Sequence, residues 1–255
     1  VVKEMNSMEE KEHDDFDIQP LGERAIIVTF GTMIDVTIHR KVKALTNYLD
    51  TTPIGGMIEY VPAFTSVTVY YDPARVLENE KQPIREKAGS AYEIVYANLK
   101  QIVLNLEATM EDKKREVEIP VCYGGQFGPD LEFVAKHNNM STDEVINTHS
   151  NGDYLVYMIG FAPGFPYLGG MSEKIAAPRR SEPRMKIAKG SVGIAGKQTG
   201  VYSIESPGGW QIIGRTPLEL FRPNENPPSL LQAGDVIRFK PISLKEFTAY
   251  KEDSQ

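Results

Sequence analysis

Apolar residues change their spacing once along this chain, and the change divides it into two parts that cannot share one regular architecture. In the first part, strand and helix patterns alternate. Ala25-Ile-Ile-Val-Thr-Phe30 reads as a buried strand closed by Gly31. Asp35 then offers a helix cap, and Ile38, Val42, Leu45 and Leu49 share one face of the helix that follows, until Pro53 and Gly55-Gly56 stop it. Residues 57–61 and 66–71 are strand-like, with a turn at Asp72-Pro73. The next helix carries the stripe Val95, Leu99, Ile102 and Leu106, and the charged stretch 111–116 leads into an apolar alternation at Val117, Ile119 and Val121. This order predicts the split β-α-β of a ferredoxin-like unit, an α+β domain over residues 16–110.

Beyond residue 125 the helical signal shrinks to two pieces, one at 131–136 and one from Ser141, whose Glu144 completes a capping box. The remainder reads as short strands at 154–161, 191–195, 210–214, 218–221 and 236–240, punctuated by Gly and Pro. That spacing predicts an all-β barrel domain, closed or nearly so, over 111–250. Eleven of the chain's 21 glycines fall within residues 160–214. They suit backbone that approaches a ligand, or equally the tight corners of a small barrel.

A length of 255 residues fits two domains, and 41% apolar with 25% charged residues is an ordinary globular composition. The single cysteine, Cys122, excludes an internal disulfide and sits in an apolar run, where it reads as a packed residue. Residues 1–15 have no apolar core of a secretory signal and read as a disordered tail. No apolar run approaches the roughly 18 to 20 residues needed to cross a bilayer, so no membrane contact is expected and the cytoplasm is the expected location. A net charge of −7 opposes nucleic acid as a partner.

Residues 171–215 run against that charge, with eight Lys and Arg set against Glu173, Glu182 and Glu205. A cationic, glycine-rich stretch suits a small carboxylate or phosphate held by Arg forks and backbone N–H groups. A solvated charged loop would have the same composition. Ser191-Val-Gly-Ile-Ala-Gly-Lys-Gln198 approaches a phosphate loop, but Ser191 replaces the first glycine and Gln198 replaces the Mg²⁺-binding hydroxyl, so no nucleotide site is assigned. His13, His39, His137 and His149 are too scattered for a metal site. His149 lies where a helix end feeds a strand, a place for capping or for binding and proton transfer. Arg215 follows the apolar run 210–214, at what would be a barrel mouth. Without a G-x-S-x-G elbow, serine hydrolase chemistry is not expected.

Gly160-Phe-Ala-Pro-Gly-Phe-Pro-Tyr-Leu-Gly-Gly170, Gly190-Ser-Val-Gly-Ile-Ala-Gly196, Gln198-Thr-Gly200 and Glu205-Ser-Pro-Gly-Gly-Trp-Gln-Ile-Ile-Gly-Arg-Thr-Pro217 together resemble the family of the 5-oxoprolinase B component. That family includes the first component of allophanate hydrolase and urea carboxylase type proteins and an inhibitor of a sporulation histidine kinase. The resemblance implies an N-terminal α/β domain and a C-terminal cyclophilin-like barrel. It also implies one member, inactive alone, of an ATP-dependent complex that hydrolyses 5-oxo-L-proline to L-glutamate together with the C and A components of 5-oxoprolinase. ATP is used by the complex, and no cofactor is assigned to this chain. In that scheme His149 shuttles a proton, Gln198 with Thr199 orients the amide, and Arg184 and Arg215 clamp carboxylate or phosphate. Lys186, Gly196, Gly208 and Gly209 complete the implied substrate site. Arg180, Ala188 and Ser203 depart from the common family pattern. The alternative readings are inhibition of a histidine kinase, with that kinase as partner, and membership of an allophanate hydrolase or urea carboxylase type complex.

Overall fold

The computed structural model describes residues 15–79, 89–106 and 115–252. The chain divides into two compact units between residues 110 and 111. All but the last residue of the expected tail, and most of the charged stretch before Val117, lie outside the described residues.

The first unit contains β1 (Asp17–Pro20), β2 (Ala25–Thr29), α1 (Val36–Thr51), β3 (Met57–Pro62), β4 (Ser66–Tyr71), α2 (Pro73–Asn79) and α3 (Ala91–Leu104). Asp35 caps α1, its Oδ1 accepting from Thr37 N–H at 2.7 Å. The α1 stripe Val42, Leu45 and Leu49 packs with Val95 and Leu99 of α3 against Ile26, Val28, Val67 and Val69 of the sheet. Strand order is β1-β2-β4-β3 with every pair antiparallel, so α1 joins two strands that flank a third. The run at 117–121, which follows the alternating pattern but falls beyond residue 110, lies in the second unit, and residues 119–122 of its strand are buried in succession, which requires cover on both faces.

The strands of the second unit include β5 (Glu116–Tyr123), β6 (Tyr154–Ile159), β7 (Pro166–Gly169), β9 (Ser191–Ala195), β10 (Gln198–Val201), β12 (Gln211–Arg215) and β13 (Val236–Pro241). They form a mixed, nearly closed seven-stranded barrel sheet in the order β10-β9-β12-β5-β13-β6-β7. The end strands β10 and β7 pack on each other, and β5 and β13 pair in parallel. A separate ribbon pairs β8 (Arg184–Ile187) with β11 (Ser206–Gly208). The unit is not all-β: α4 (Leu131–His137), α5 (Thr142–Ser150) and α6 (Leu244–Glu252) accompany the sheet. Segment 218–221 contributes only a single bridge, Phe221 to Ser229, because Pro217 and the proline-rich stretch after it interrupt a ladder.

The loop after β5 lies directly on β12. Gly124 N–H donates to Ile213 O at 3.0 Å, and Asp130 N–H to Ile212 O at 2.9 Å. A Cβ on Gly128 would stand 2.1 Å from the Ile213 carbonyl oxygen and 2.5 Å from Gly124 N, both backbone atoms that cannot swing away. Gly128→Ala is therefore expected to destabilise the second unit by about 3 kcal/mol, measured by chemical denaturation. An unchanged midpoint would show that the loop is not pinned.

One polar line crosses the apolar interior. His149, at the end of α5, is fully buried, with the rings of Phe239 and Tyr154 at 4.5 and 5.4 Å between centroids. Its Nε2 lies 2.8 Å from Thr199 Oγ1, and its Nδ1 lies 2.7 Å from Tyr123 Oη. Thr199 donates its own proton to Gly193 O at 3.1 Å, so it accepts from Nε2–H, and Nδ1 accepts from Tyr123. Burial lowers the His149 pKa from 6.5 to about 3. The unfolded chain therefore binds one more proton than the folded chain between those values, and this contribution to stability is full above pH 6.5 and lost as pH falls toward 3. Denaturant melts from about pH 4.5 to 7 should show a slope of about 1.4 kcal/mol per pH unit from this site below about pH 6.5, absent in His149→Gln. Equal slopes in both proteins would place the titration elsewhere.

Candidate functional site

β12 ends at Arg215, which pairs with Ser191 of β9 and Cys122 of β5. Just before β9, Gly190 adopts φ +83°, and a Cβ there would lie 2.5 Å from Thr216 O. This close approach lets Gly190 accept from Thr216 N–H and donate to Tyr202 O, at 2.9 and 2.7 Å. The chain leaving β12 then bounds a pocket of about 570 Å³ whose lining includes Lys189, Ser203, Arg215, Thr216, Glu219 and Arg222. Lys189 is ion-paired with Glu219, and Arg222 with Glu225 at 2.8 Å. Arg215 donates Nε–H to Lys189 O at 2.9 Å and makes no ion pair with a carboxylate among the described residues. Its half-buried guanidinium loses hydration, which lowers its pKa from the ordinary arginine value. The pocket thus holds one under-compensated cation with a fork suited to two parallel hydrogen bonds.

The other residues singled out by sequence lie elsewhere. Arg184 directs its fork at the buried carboxylate of Asp130, with both bonds at 2.8 Å. Arg180 adds a bond to the same carboxylate at 3.1 Å, and Ile212 N–H another at 2.7 Å. Lys186 is exposed and pairs with Glu205 at 2.9 Å. Gly208 pairs with Arg184 in the ribbon, where a Cβ would strike Tyr202 Oη at 2.3 Å, and Gly209 O accepts from Arg180 N–H at 2.7 Å. Gly196, at φ +58°, opens the two-residue turn between β9 and β10, and Gln198 follows it, exposed. The β9 partners of Arg215 and Gln198 are Ser191 and Ala195, four residues apart. At about 3.3 Å per residue, Gln198 therefore stands roughly 13 Å along the sheet from Arg215. His149 and Thr199 occupy the interior. Of the nine candidates, only Arg215 lines the pocket.

Within the cationic run at 171–215, Arg180, Arg184, Lys186, Lys189 and Lys197 pair with four carboxylates, two of which, Asp130 and Glu219, lie outside the run. Sequence reasoning missed Asp130. Its position before α4 signals a helix cap, yet its side chain makes no capping bond and serves the arginines instead. It also missed Phe161, which is 75% exposed at φ +65° and stacks edge-on against Phe165. A bulky side chain in the left-handed region was the available structural signal, and no sequence pattern marks it.

The model for the carboxyltransferase domain, subdomain C and D, matches residues 16–231. The chain is 53% identical over 239 residues to the B component of 5-oxoprolinase from Bacillus subtilis, covering 94% of this chain and 98% of that protein. It is 39% identical to the protein of the same name from Escherichia coli O157:H7, over 87% of this chain and 94% of that one. A solved structure of a conserved uncharacterized protein from Pyrococcus horikoshii shares 46% identity at a TM-score of 0.52, covering 91% of this chain and all of that one. Matched at these identities and over this length, the chain belongs to the family of the 5-oxoprolinase B component and of carboxyltransferase subdomains C and D.

Proposed function

We propose that this chain is the B component of a cytoplasmic 5-oxoprolinase complex, which opens the lactam of 5-oxo-L-proline to L-glutamate at the expense of ATP. The observation that carries this reading is 53% identity across 98% of a protein bearing that name. Amide resonance stabilises the lactam, so cleavage needs activation, and phosphorylation of the amide oxygen makes the ring carbon open to water. The C and A components supply what this chain lacks. No phosphate loop is present in its sequence, and its histidine of interest is sealed in the core. In this reading residues 16–110 form a ferredoxin-like domain in which β1 occupies the outer place beside β2. Residues 111–250 form a cyclophilin-like barrel.

Within the barrel we assign the anionic group of a bound reactant to Arg215, where a planar fork meets carboxylate or phosphoryl oxygens and stabilises developing charge. His149, Thr199 and Arg184 belong to the scaffold in this assignment. Gln198 and Gly196, exposed at the hairpin tip, and Lys186 on the ribbon remain open to groups that the other components bring.

The purified chain alone is expected to show no ATP-dependent release of glutamate from 5-oxoproline, whereas co-expression with the C and A components restores it. Turnover by the isolated chain, or none by the assembled complex, would overturn the reading. Arg215→Lys keeps the charge but loses the fork, so it should leave melting temperature and assembly intact while lowering kcat/KM of the complex about tenfold to a thousandfold. If Arg215 only packs its stem, the same change would weaken folding or assembly and leave turnover per complex untouched.

A further inference from the structure

We propose that the Arg215 pocket is a subsite for a small monocarboxylate that discriminates against phosphate groups. This sharpens the assignment made under the proposed function, where the class of anion stays open, and it rests on that assignment for the identity of the natural ligand.

The charge inventory of the wall carries the argument. Lys189, Arg215 and Arg222 face Glu219 and Glu225, so the lining holds three cations and two carboxylates. The two ion pairs cancel, and a ligand with a single negative charge neutralises what remains. A phosphate group carries about −1.5 to −2 at neutral pH, overshoots that balance and brings its excess charge beside two fixed carboxylates. The carboxylates that hold Lys189 and Arg222 thereby act as a filter.

Unsatisfied groups point to the same place. In the second unit the described side-chain polar atoms that are buried without a partner are Ser203 Oγ and Arg222 Nε, and both residues line this pocket. Native folds leave few such atoms unpaired, and both lie in the pocket wall just behind its accessible surface. Pro217, Leu218 and Leu230 supply an apolar wall for the hydrocarbon part of the ligand. A volume of about 570 Å³ accommodates an amino-acid-sized molecule. Burial that strips water from the Arg215 guanidinium adds to its demand for an anionic partner.

The test follows the Arg215 Nε–H resonance by NMR in the full chain with ¹⁵N-labelled arginine, assigned by its loss in Arg215→Lys. Three probes are titrated separately at constant ionic strength: 5-oxo-L-proline, cyclopentanecarboxylate and inorganic phosphate. Saturable shifts with the carboxylates, and at least tenfold weaker binding of phosphate, are expected. Carboxylate binding measured by calorimetry should fall at least tenfold in Arg215→Lys. The double variant Glu219→Gln, Glu225→Gln should gain phosphate affinity by about tenfold, since it removes the filter. Phosphate binding as tight as that of the carboxylates, or no shift with any probe, overturns the proposal. Binding of cyclopentanecarboxylate without 5-oxoproline supports the subsite and instead removes 5-oxoproline from it, a result separate from the turnover assay of the complex.

Discussion

A carboxylate taken out of water is tolerated only when hydrogen-bond donors replace the water it loses, and Asp130 meets this condition four times over. It is almost fully buried, yet it accepts two bonds from Arg184, one from Arg180 and one from Ile212 N–H. These donors come from the ribbon, from the loop before it and from the middle of β12. Removing one partner of such a buried pair typically costs about 3 to 5 kcal/mol, because the remaining charge is stranded. The interaction therefore sets where the ribbon lies against β12. Three residues beyond Ile212, β12 releases Arg215 into the pocket wall.

The route from Ile212 to Arg215 depends on close backbone approach. The β12–β9 ladder shifts register between Ile212 and Gly214, and a Cβ on Gly214 would stand 2.6 Å from Val121 Cγ1. A side chain there would push β12 off β5 and turn the guanidinium away from the Lys189 carbonyl. At the other side of the exit, Gly190 admits Thr216 to within hydrogen-bonding distance. Of the glycines in residues 160–214, Gly214 and Gly196 make corners of the barrel, and Gly190 shapes the pocket lined by Arg215.

Two basic residues of the barrel illustrate how environment decides role. His149 has both ring nitrogens occupied and no solvent contact, so burial holds it neutral and it ties β5, α5 and β10 together. Arg215 also suffers from burial, but guanidinium retains its proton in a protein, and no carboxylate among the described residues pairs with it. A residue type that titrates easily became part of the scaffold. The one that does not titrate lines the pocket.

The sequence by itself determined the elements whose cause is local. The stripe Val42, Leu45 and Leu49, the Asp35 cap and the Ser141–Glu144 capping box all appear in the structure, because helix periodicity and capping act over three or four residues. Strands β2, β4, β9 and β12 were legible for the same reason. Tertiary structure alone decided that the run at 117–121 would lie parallel to β13, that Asp130 would take Arg184 from 54 positions away, and that Lys189 and Arg222 would find carboxylates while Arg215 did not. Alternating apolar residues state that a strand is covered on one or both faces, not by which neighbour. An arginine in a sequence shows that a charge is present, and only the folded surroundings show whether a carboxylate already answers it.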